Sequence, residues 1–251
     1  MNNKSKQVTA SILIIGNEIL SGRTQDTNVS SISEWLNSLG IIVQEVRIIP
    51  DLQKTIINTV NELRKKFDYL FTTGGIGPTH DDITAESISK AFRVKYEIHK
   101  KAFSILEKYY GKENFNEGRQ KMVWMPSNSN LILNPSSGAP GFYIKNVFCL
   151  PGVPSILKSM LPNLKNILVG GKPILSKTIS LITIESEIAK SLKHVQEKNK
   201  DVDIGSYPFF RKGKIGVSIV IRSEEKKKIE KCNNQIIKFI KEKKISIIKR
   251  D

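Results

Sequence analysis

Apolar runs and amphipathic segments alternate through residues 8–92, and this alternation limits the fold more than any other feature of the sequence. The run Val8–Ile15 is almost continuously apolar, which is typical of a strand buried on both faces of a parallel sheet. A segment with helical spacing follows at 26–39 and ends at Gly40. The alternation continues through strand Ile41–Ile49, a helix ending at Lys66, strand Tyr69–Thr73 and a helix over 81–92. It predicts a three-layer α/β fold with a mostly parallel sheet.

The sequence next predicts a short series of further elements and then a linker. These elements are helical segments over 99–125 with a break at Gly111, strands at 142–144 and Val147–Leu150, and a helix over 154–164. Gly170, Gly171 and Pro173 then form the best linker in the chain. We therefore predict two domains, residues 1–170 and 171–251.

Beyond the linker, the elements follow the order β-α-β-β-α-β, which is typical of a small split βαβ sandwich. They are strand 177–184, helix 185–197, strands 202–210 and 214–221, helix 224–243 and strand 245–248. One motif here, Gly213-Lys214-Ile215-Gly216, spells the G-x-x-G pattern of KH RNA-binding folds, in which the loop joins two helices. Because it lies between two predicted strands in this chain, we interpret it as a hairpin turn.

The charge balance is strongly basic, with 40 Lys and Arg against 24 Asp and Glu and a formal net charge of +16. Such a surplus can indicate nucleic-acid binding, because cationic surfaces attract polyanions. Only eight of the 40 basic residues are arginine, however, and arginine is the usual reader of phosphates and bases. The composition therefore disfavours nucleic acid as a partner without excluding it.

The sequence shows no signal peptide and no apolar run long enough to span a membrane. We therefore expect a cytoplasmic protein without a membrane partner. The two cysteines, Cys149 and Cys232, lie far apart and support neither a disulfide framework nor a cysteine-based zinc site.

The most informative loop follows strand Tyr69–Thr73, at a position where parallel α/β sheets bind their ligands. Its glycines allow a phosphate to approach the backbone, and the following helix start adds positive potential. The loop lacks the spacing of a Walker A or a Rossmann motif. We predict that it binds the phosphates of a nucleotide through Thr73, Gly74, Gly75, Gly77 and Thr79.

Two adjacent carboxylates, Asp81 and Asp82, follow this predicted phosphate loop. They would repel a phosphate unless a divalent cation lay between them, so the pattern favours a magnesium-like ion that bridges the carboxylates and the phosphate. The alternative is structural: the glycines form a tight turn and the aspartates cap a helix.

Loops after the other strands contribute further candidates. For nucleotide or phosphate binding these are Gly16, Asn17, Glu18, Ser21, Asn28, Ser137, Gly138, Pro151 and Gly152. Asp26 could add a catalytic carboxylate to the same site, although an aspartate at this position also fits a helix N-cap. Ser21 and Ser137 could bind a phosphate through their hydroxyls or could be turn residues.

These loops together resemble the molybdopterin-binding (MoaB/Mog-like) domain of the CinA family of competence- and damage-inducible proteins. The resemblance spans about residues 8–165 and is carried by Gly16-Asn17-Glu18-Ile19-Leu20-Ser21-Gly22, Asp26-Thr27-Asn28, Thr73-Gly74-Gly75-Ile76-Gly77-Pro78-Thr79-His80-Asp81-Asp82-Ile83-Thr84, Gly138-Ala139-Pro140-Gly141-Phe142 and Leu150-Pro151-Gly152-Val153-Pro154. The KH-like second domain of CinA is similar at Glu185-Ser186-Glu187-Ile188-Ala189 and Gly205-Ser206-Tyr207-Pro208.

Two departures from the CinA pattern limit what this resemblance implies. CinA proteins commonly continue into a nicotinamide-nucleotide amidohydrolase domain, which has no counterpart in these 251 residues, so we do not expect that activity. The family also usually has an acidic residue shortly after the Pro-Gly-Val-Pro string, where this chain has Ile156 and Leu157. A metal site that uses such a carboxylate would be completed differently here.

The resemblance implies a domain that binds a phosphorylated pterin or nucleotide and, as in CinA relatives, acts as a metal-dependent pyrophosphatase on ADP-ribose. In that role Asp82 and Asp26 would be catalytic, and Asp82, with Asp81 and Asp26, would hold a divalent ion, Mg, Mn or Co, beside the glycine amides. A pterin-binding or molybdopterin adenylyltransferase-like role, with molybdopterin as ligand, is the alternative, and a nucleic-acid-binding module is a second one. The resemblance also implies a homodimer.

Overall fold

The computed structural model of the protein describes residues 7–211 and 213–248. The chain divides into two compact units, one ending at Gly171 and the other beginning at Lys172. No helix within the described ranges has the length and hydropathy needed to cross a membrane.

The first unit contains a mixed sheet with helices on both of its faces. The strands of this unit, of which β4 and β5 lie outside the mixed sheet, are β1 (Val8–Ile15), β2 (Ile41–Ile49), β3 (Tyr69–Thr73), β4 (Tyr96–Ile98), β5 (Trp124–Pro126), β6 (Asn130–Ile132), β7 (Gly141–Ile144) and β8 (Val147–Leu150). Its helices are α1 (Asn17–Leu20), α2 (Asn28–Ser38), α3 (Gln53–Lys66), α4 (Thr84–Phe92), α5 (Lys100–Tyr110), α6 (Glu117–Lys121) and α7 (Pro154–Met160), with 3₁₀ turns at Lys112–Asn114 and Leu161–Leu164.

The main sheet has the strand order β2-β1-β3-β8-β7-β6 and is parallel from β2 to β8. Strands β7 and β6 add an antiparallel edge. One buried apolar cluster, on the side of α3, α4 and α5, includes Leu13, Ile56, Ile88 and Leu106. A second, on the side of α2 and α7, includes Ile12, Ile32, Phe71 and Leu157. Because β1 contributes to both clusters, its unbroken apolar run is explained and the predicted three-layer α/β fold is confirmed.

The second unit has its own sheet and its own core. Its elements are β9 (Leu175–Ile182), α8 (Glu185–Lys198), β10 (Asp203–Arg211), β11 (Lys214–Ser223), α9 (Lys226–Glu242) and β12 (Ser246–Ile247). The sheet order is β10-β11-β9-β12, and each neighbouring pair is antiparallel. The predicted β-α-β-β-α-β order is therefore confirmed. Arg211 pairs with Lys214, and Gly213 has a φ of 73°, so the G-x-x-G string is a hairpin, as predicted; Lys212 lies outside the described residues.

The helical prediction over 99–125 is wrong at its C-terminal end. Residues 124–126 form β5, which pairs with β4 in a separate antiparallel ribbon. Ile98 lies opposite Trp124 in this ribbon, and Met125 points into the core with an exposed fraction of 2%. Cross-strand pairing with a segment that the sequence analysis did not recognise as a strand therefore overrides the local helical spacing.

Candidate functional site

The register of the parallel strands brings three loops to one edge of the sheet. Ile15 is paired with Ile49, and Thr73 is paired with Leu150, so β1, β2, β3 and β8 end close to one another. The chain leaves β1 at Gly16, β3 at Gly74 and β8 at Pro151. We call residues 74–83 the glycine loop. This common edge is where parallel α/β sheets bind ligands.

The side chain of Asn28 connects all three loops. Its Nδ2 donates to Thr73 Oγ1 at 2.9 Å and to the carbonyl oxygen of Gly152 at 2.8 Å. The Thr73 hydroxyl in turn donates to the carbonyl oxygen of Pro151 at 3.1 Å. Asn28 and Thr73 are both buried, so these bonds fix the relative positions of the loops. The structure thus brings together four of the predicted site residues, Asn28, Thr73, Pro151 and Gly152, in an arrangement that we call the Asn28 clamp. The side-chain donors of Asn28 and Thr73 are already used in these bonds.

Gly74 has a structural reason to be glycine. Its φ is 98°, and a Cβ atom at this position would lie 2.2 Å from the carbonyl oxygen of Ile15. Its N–H donates to the carbonyl oxygen of Leu150 at 3.1 Å. The Gly74 amide, which we predicted to bind phosphate, is therefore engaged in continuing the sheet pairing between β3 and β8.

The next three amides of the glycine loop are free. The N–H groups of Gly75, Ile76 and Gly77 donate to no acceptor in the part of the chain that the structure describes. Gly75 has a φ of 68°, and its carbonyl oxygen accepts from the N–H of Thr84, the first residue of α4. The loop is thereby held open at the start of a nine-residue helix. Consecutive free amides beside a helix N-terminus can bind an anion.

Asp82 lies against these amides and is held by its own loop. A Cβ atom on Gly77 would lie 2.7 Å from Asp82 Oδ2, which shows how closely the carboxylate approaches. That same oxygen accepts from the Thr79 N–H at 2.8 Å and from the Thr79 hydroxyl. The Thr79 N–H and hydroxyl are therefore engaged by Asp82, and the predicted phosphate contact of Thr79 stays a prediction. The helix predicted over 81–92 starts later, at Thr84, because Asp82 closes a turn onto Thr79.

Asp81 is exposed next to Asp82, and the hydroxyl of Thr79 holds the pKa of the Asp81 carboxyl below its ordinary value, with a smaller contribution from the Asp81 backbone. Asp81 is thus ionised at neutral pH. Among the described residues, no three His, Cys, Asp or Glu side chains converge as a ready-made metal site. A cation here would have only one or two carboxylates from this chain, and water or ligand oxygens would complete its coordination.

Asp26 is engaged at the start of α2. Its Oδ1 accepts from the Asn28 N–H at 3.2 Å, and its Oδ2 accepts from the Val29 N–H at 3.0 Å. The helix predicted from residue 26 accordingly begins at Asn28. Helix capping accounts for the position of this carboxylate, whereas its predicted catalytic role stays a prediction.

Asp26→Ala is expected to lower the free energy of unfolding by about 1 kcal/mol, and Asp26→Ser by less, because serine retains a capping oxygen. Urea unfolding of the two variants measures this difference. A catalytic carboxylate would instead leave both variants equally inactive towards ADP-ribose, and that result would contradict a capping role alone.

The first loop is bonded both to the end of β2 and within itself. The Gly16 N–H donates to the carbonyl oxygen of Ile49 at 3.2 Å, and the Asn17 N–H donates to Asp51 Oδ2 at 2.9 Å. The Ser21 hydroxyl donates to the backbone carbonyl of Glu18. The Gly16 N–H, the Asn17 N–H and the Ser21 hydroxyl are therefore already engaged, and the predicted phosphate contacts of these residues stay predictions. The Asp51 contact was not predicted.

Ser137 and Gly138 belong to a turn organised by Asn134. Asn134 Oδ1 accepts from the Ser137 N–H at 3.1 Å, while its Nδ2 donates to Ser137 Oγ at 2.8 Å. Gly138 has a φ of 76° and packs against the ring of Tyr109 on α5. These contacts favour the turn interpretation of Ser137 over the phosphate-binding one.

Ile156 and Leu157 follow the third loop in α7. Leu157 is fully buried, and the partly buried Ile156 packs against the same apolar cluster. The two positions are thus part of the core, and they provide no carboxylate to the sheet edge.

A cleft of about 440 Å³ adjoins the glycine loop, and of the residues that line it only Asp82 was a predicted site residue. Its lining includes Asp82 and Glu86, Tyr96 of β4, Glu117 and Lys121 of α6, and Trp124 of β5. The Lys121 ammonium donates to the carbonyl oxygen of Thr79, which ties α6 to the glycine loop. Because β5 was predicted as helix, no sequence signal brought Tyr96 and Trp124 together.

Comparisons with known proteins agree with this architecture. Residues 11–173 match the family model of a probable molybdopterin binding domain, and residues 173–248 match that of the middle domain of FAD synthase. A protein of Saccharolobus islandicus (strain L.S.2.15) is 35% identical over 248 residues, which cover 92% of this chain and 94% of that relative. A protein of Archaeoglobus fulgidus is 32% identical over 233 residues, covering 92% and 98%.

Among solved structures, CinA of Thermoplasma acidophilum, a protein of unknown function, is 31% identical with a TM-score of 0.59. The match covers 63% of this chain and 98% of that one. The match to the middle domain of FAD synthase falls on the second domain, and the KH-like character predicted for that domain stays a prediction. Since the model over residues 11–173 spans more than half of the sequence, the chain belongs to the family of probable molybdopterin-binding domains.

Proposed function

We propose that this chain, as a member of the CinA family, binds a phosphorylated nucleotide at the glycine loop and hydrolyses the phosphoanhydride bond of ADP-ribose-type substrates with a divalent metal. The observation that carries the proposal is the run of free amides at Gly75, Ile76 and Gly77 beside Asp82. Three successive unpaired N–H groups suit the oxygens of a diphosphate, and the N-terminus of α4 adds to the positive potential.

The carboxylates present fit a cation that binds together with its substrate. Mg²⁺ in nucleotide enzymes is usually held by one or two carboxylates and by substrate phosphates, rather than by a complete protein cage. Asp82 Oδ1 accepts no hydrogen bond among the described residues, and Asp81 is exposed and ionised. Both side chains are therefore available, and the lack of a third carboxylate is consistent with this mode of binding.

The chain's own residues would hold and orient the diphosphate. The amides of the glycine loop would donate to its oxygens, and the Asn28 clamp would keep the loop in place. When bound, the cation neutralises the diphosphate and makes its phosphorus more electrophilic. Water then adds across the P–O–P bond, so that ADP-ribose gives AMP and ribose 5-phosphate.

Release of AMP from ADP-ribose tests the proposal. The protein is incubated with ADP-ribose and Mg²⁺, Mn²⁺ or Co²⁺, and the nucleotides are separated by chromatography. We expect AMP to accumulate with at least one metal and to be absent in EDTA. If AMP accumulates with none of the three metals, the hydrolase proposal is wrong.

A pterin-binding or molybdopterin adenylyltransferase-like role is the second candidate, and the family match over residues 11–173 favours it. The same amides could hold the phosphate of a pterin as readily as a nucleotide. Adenylylation of molybdopterin with ATP would support this role. Failure of the protein to bind any phosphorylated pterin would exclude it.

A further inference from the structure

The cleft beside the glycine loop differs chemically from the loop itself. Its volume of about 440 Å³ suits a small ring system. Three carboxylates line it, from Asp82, Glu86 and Glu117, against one lysine, Lys121. The lysine ammonium already donates to the glycine loop, and a phosphate would therefore meet net negative charge in this cleft.

Two aromatic side chains form one wall of the cleft. The rings of Tyr96 and Trp124 lie 5.4 Å apart between centroids and are tilted by 45°. Trp124 is 38% exposed, so part of its indole surface remains accessible to a ligand. Burial, with a smaller contribution from Glu86, raises the pKa of the Tyr96 phenol to about 12. This wall is therefore uncharged at physiological pH and is suited to stacking.

The carboxylates offer hydrogen-bond acceptors at the rim. Glu86 forms an ion pair with Lys90 at 2.7 Å, which partly compensates its charge. Glu117, in the first turn of α6, has no ion-pair partner within the described ranges. A free carboxylate beside an aromatic surface is suited to a planar ring that presents amino or ring N–H groups.

The cleft is continuous with the glycine loop. Gly77 and Asp82 line a second, narrower cavity together with Tyr96 and Trp124. Gly118 of α6 also faces Pro78, since a Cβ atom on Gly118 would lie 3.8 Å from the Pro78 carbonyl oxygen. A ligand whose phosphates occupy the free amides could thus extend directly into the cleft.

We propose that this cleft binds the planar, amino-bearing nitrogen heterocycle of the ligand whose phosphates occupy the glycine loop, with the ring stacked on Trp124 and its N–H groups donating to Glu117. This inference rests on the proposed phosphate site and adds the ring specificity of the same ligand. A purine and a pterin share the required chemistry, so the experiment must distinguish them.

Calorimetric titrations of the full chain test the cleft with inorganic diphosphate, ADP, a hydroxymethylpterin diphosphate, adenosine and hydroxymethylpterin. We expect at least one ring-bearing diphosphate to bind about tenfold more tightly than inorganic diphosphate, as base stacking on an aromatic side chain permits. Trp124→Ala should remove this advantage while leaving the affinity for inorganic diphosphate unchanged. Trp124→Phe should retain most of it. The better of the two ring-bearing ligands identifies the heterocycle.

Glu117→Gln is expected to lower the affinity only for the ring-bearing ligands. Glu113→Gln makes the same change at an exposed carboxylate that does not line the cleft, and it should leave every affinity unchanged. Failure of inorganic diphosphate to bind would count against the proposed phosphate site, while adenosine or hydroxymethylpterin would still report on the cleft by itself. The inference is overturned if neither ring-bearing diphosphate binds more tightly than inorganic diphosphate to the wild-type chain, or if folded Trp124→Ala retains the advantage.

Discussion

Asp82→Asn is expected to lower the rate of AMP release from ADP-ribose by about 100- to 1000-fold, the scale of losing one major electrostatic contribution to a transition state. The amide oxygen of asparagine can still accept from the Thr79 N–H, which Asp82 now accepts at 2.8 Å. The loop should therefore keep its shape while the negative charge next to the free amides is lost. Initial rates with saturating metal measure the effect.

Glu34→Gln is the matched control, because Glu34 is an exposed carboxylate in the middle of α2. It should retain the wild-type rate. If Asp82→Asn hydrolyses ADP-ribose within a few-fold of the wild-type rate, Asp82 does not hold the cation and its role is limited to closing the turn onto Thr79.

Gly74→Ala is expected to lower the free energy of unfolding by about 3 kcal/mol. A left-handed backbone conformation costs an alanine roughly 1–2 kcal/mol, and overpacking against the Ile15 carbonyl oxygen adds a similar amount. For a chain of this length, the corresponding fall in melting temperature is about 6–12 °C. Thermal unfolding followed by circular dichroism measures it.

Gly22→Ala separates the two causes. Gly22 has a φ of 71°, but a Cβ atom there would have no neighbour within 4 Å. Its substitution should cost only about 1 kcal/mol, the backbone contribution alone. Equal losses of stability in the two variants would show that the clash of the new Cβ with the Ile15 carbonyl oxygen adds nothing to the cost of Gly74→Ala.

The sequence predicts the four parallel strands of the main sheet, because each of them is rich in apolar residues, but it misses β6 at the antiparallel edge. Val8–Ile15 and Tyr69–Thr73 are strands with the bounds expected from their apolar runs. The short ribbon of β4 and β5 could not be predicted in the same way. Residues 124–126 continue a helical spacing, and only pairing with residues 96–98, far away in sequence, makes them a strand.

The candidate site was predictable in its location but not in its donors. The glycines and aspartates mark residues 74–82 as unusual, and the order of elements places them at the carboxyl edge. Which amides remain free depends on tertiary contacts. The Gly74 N–H donates to the carbonyl oxygen of Leu150, and the Thr79 N–H donates to Asp82. The Ile76 N–H, which was not among the predicted phosphate donors, is free.

Amide NMR of the ¹⁵N-labelled chain titrated with ADP and Mg²⁺ tests the central claim most directly, because it observes the proposed phosphate donors themselves. The account predicts saturable shifts at the amides of Gly75, Ile76 and Gly77. It predicts smaller shifts at Gly16 and Gly74, because their N–H groups already donate to the carbonyl oxygens of Ile49 and Leu150. Shifts that leave residues 75–77 unchanged, or that are confined to residues 172–248, would contradict it.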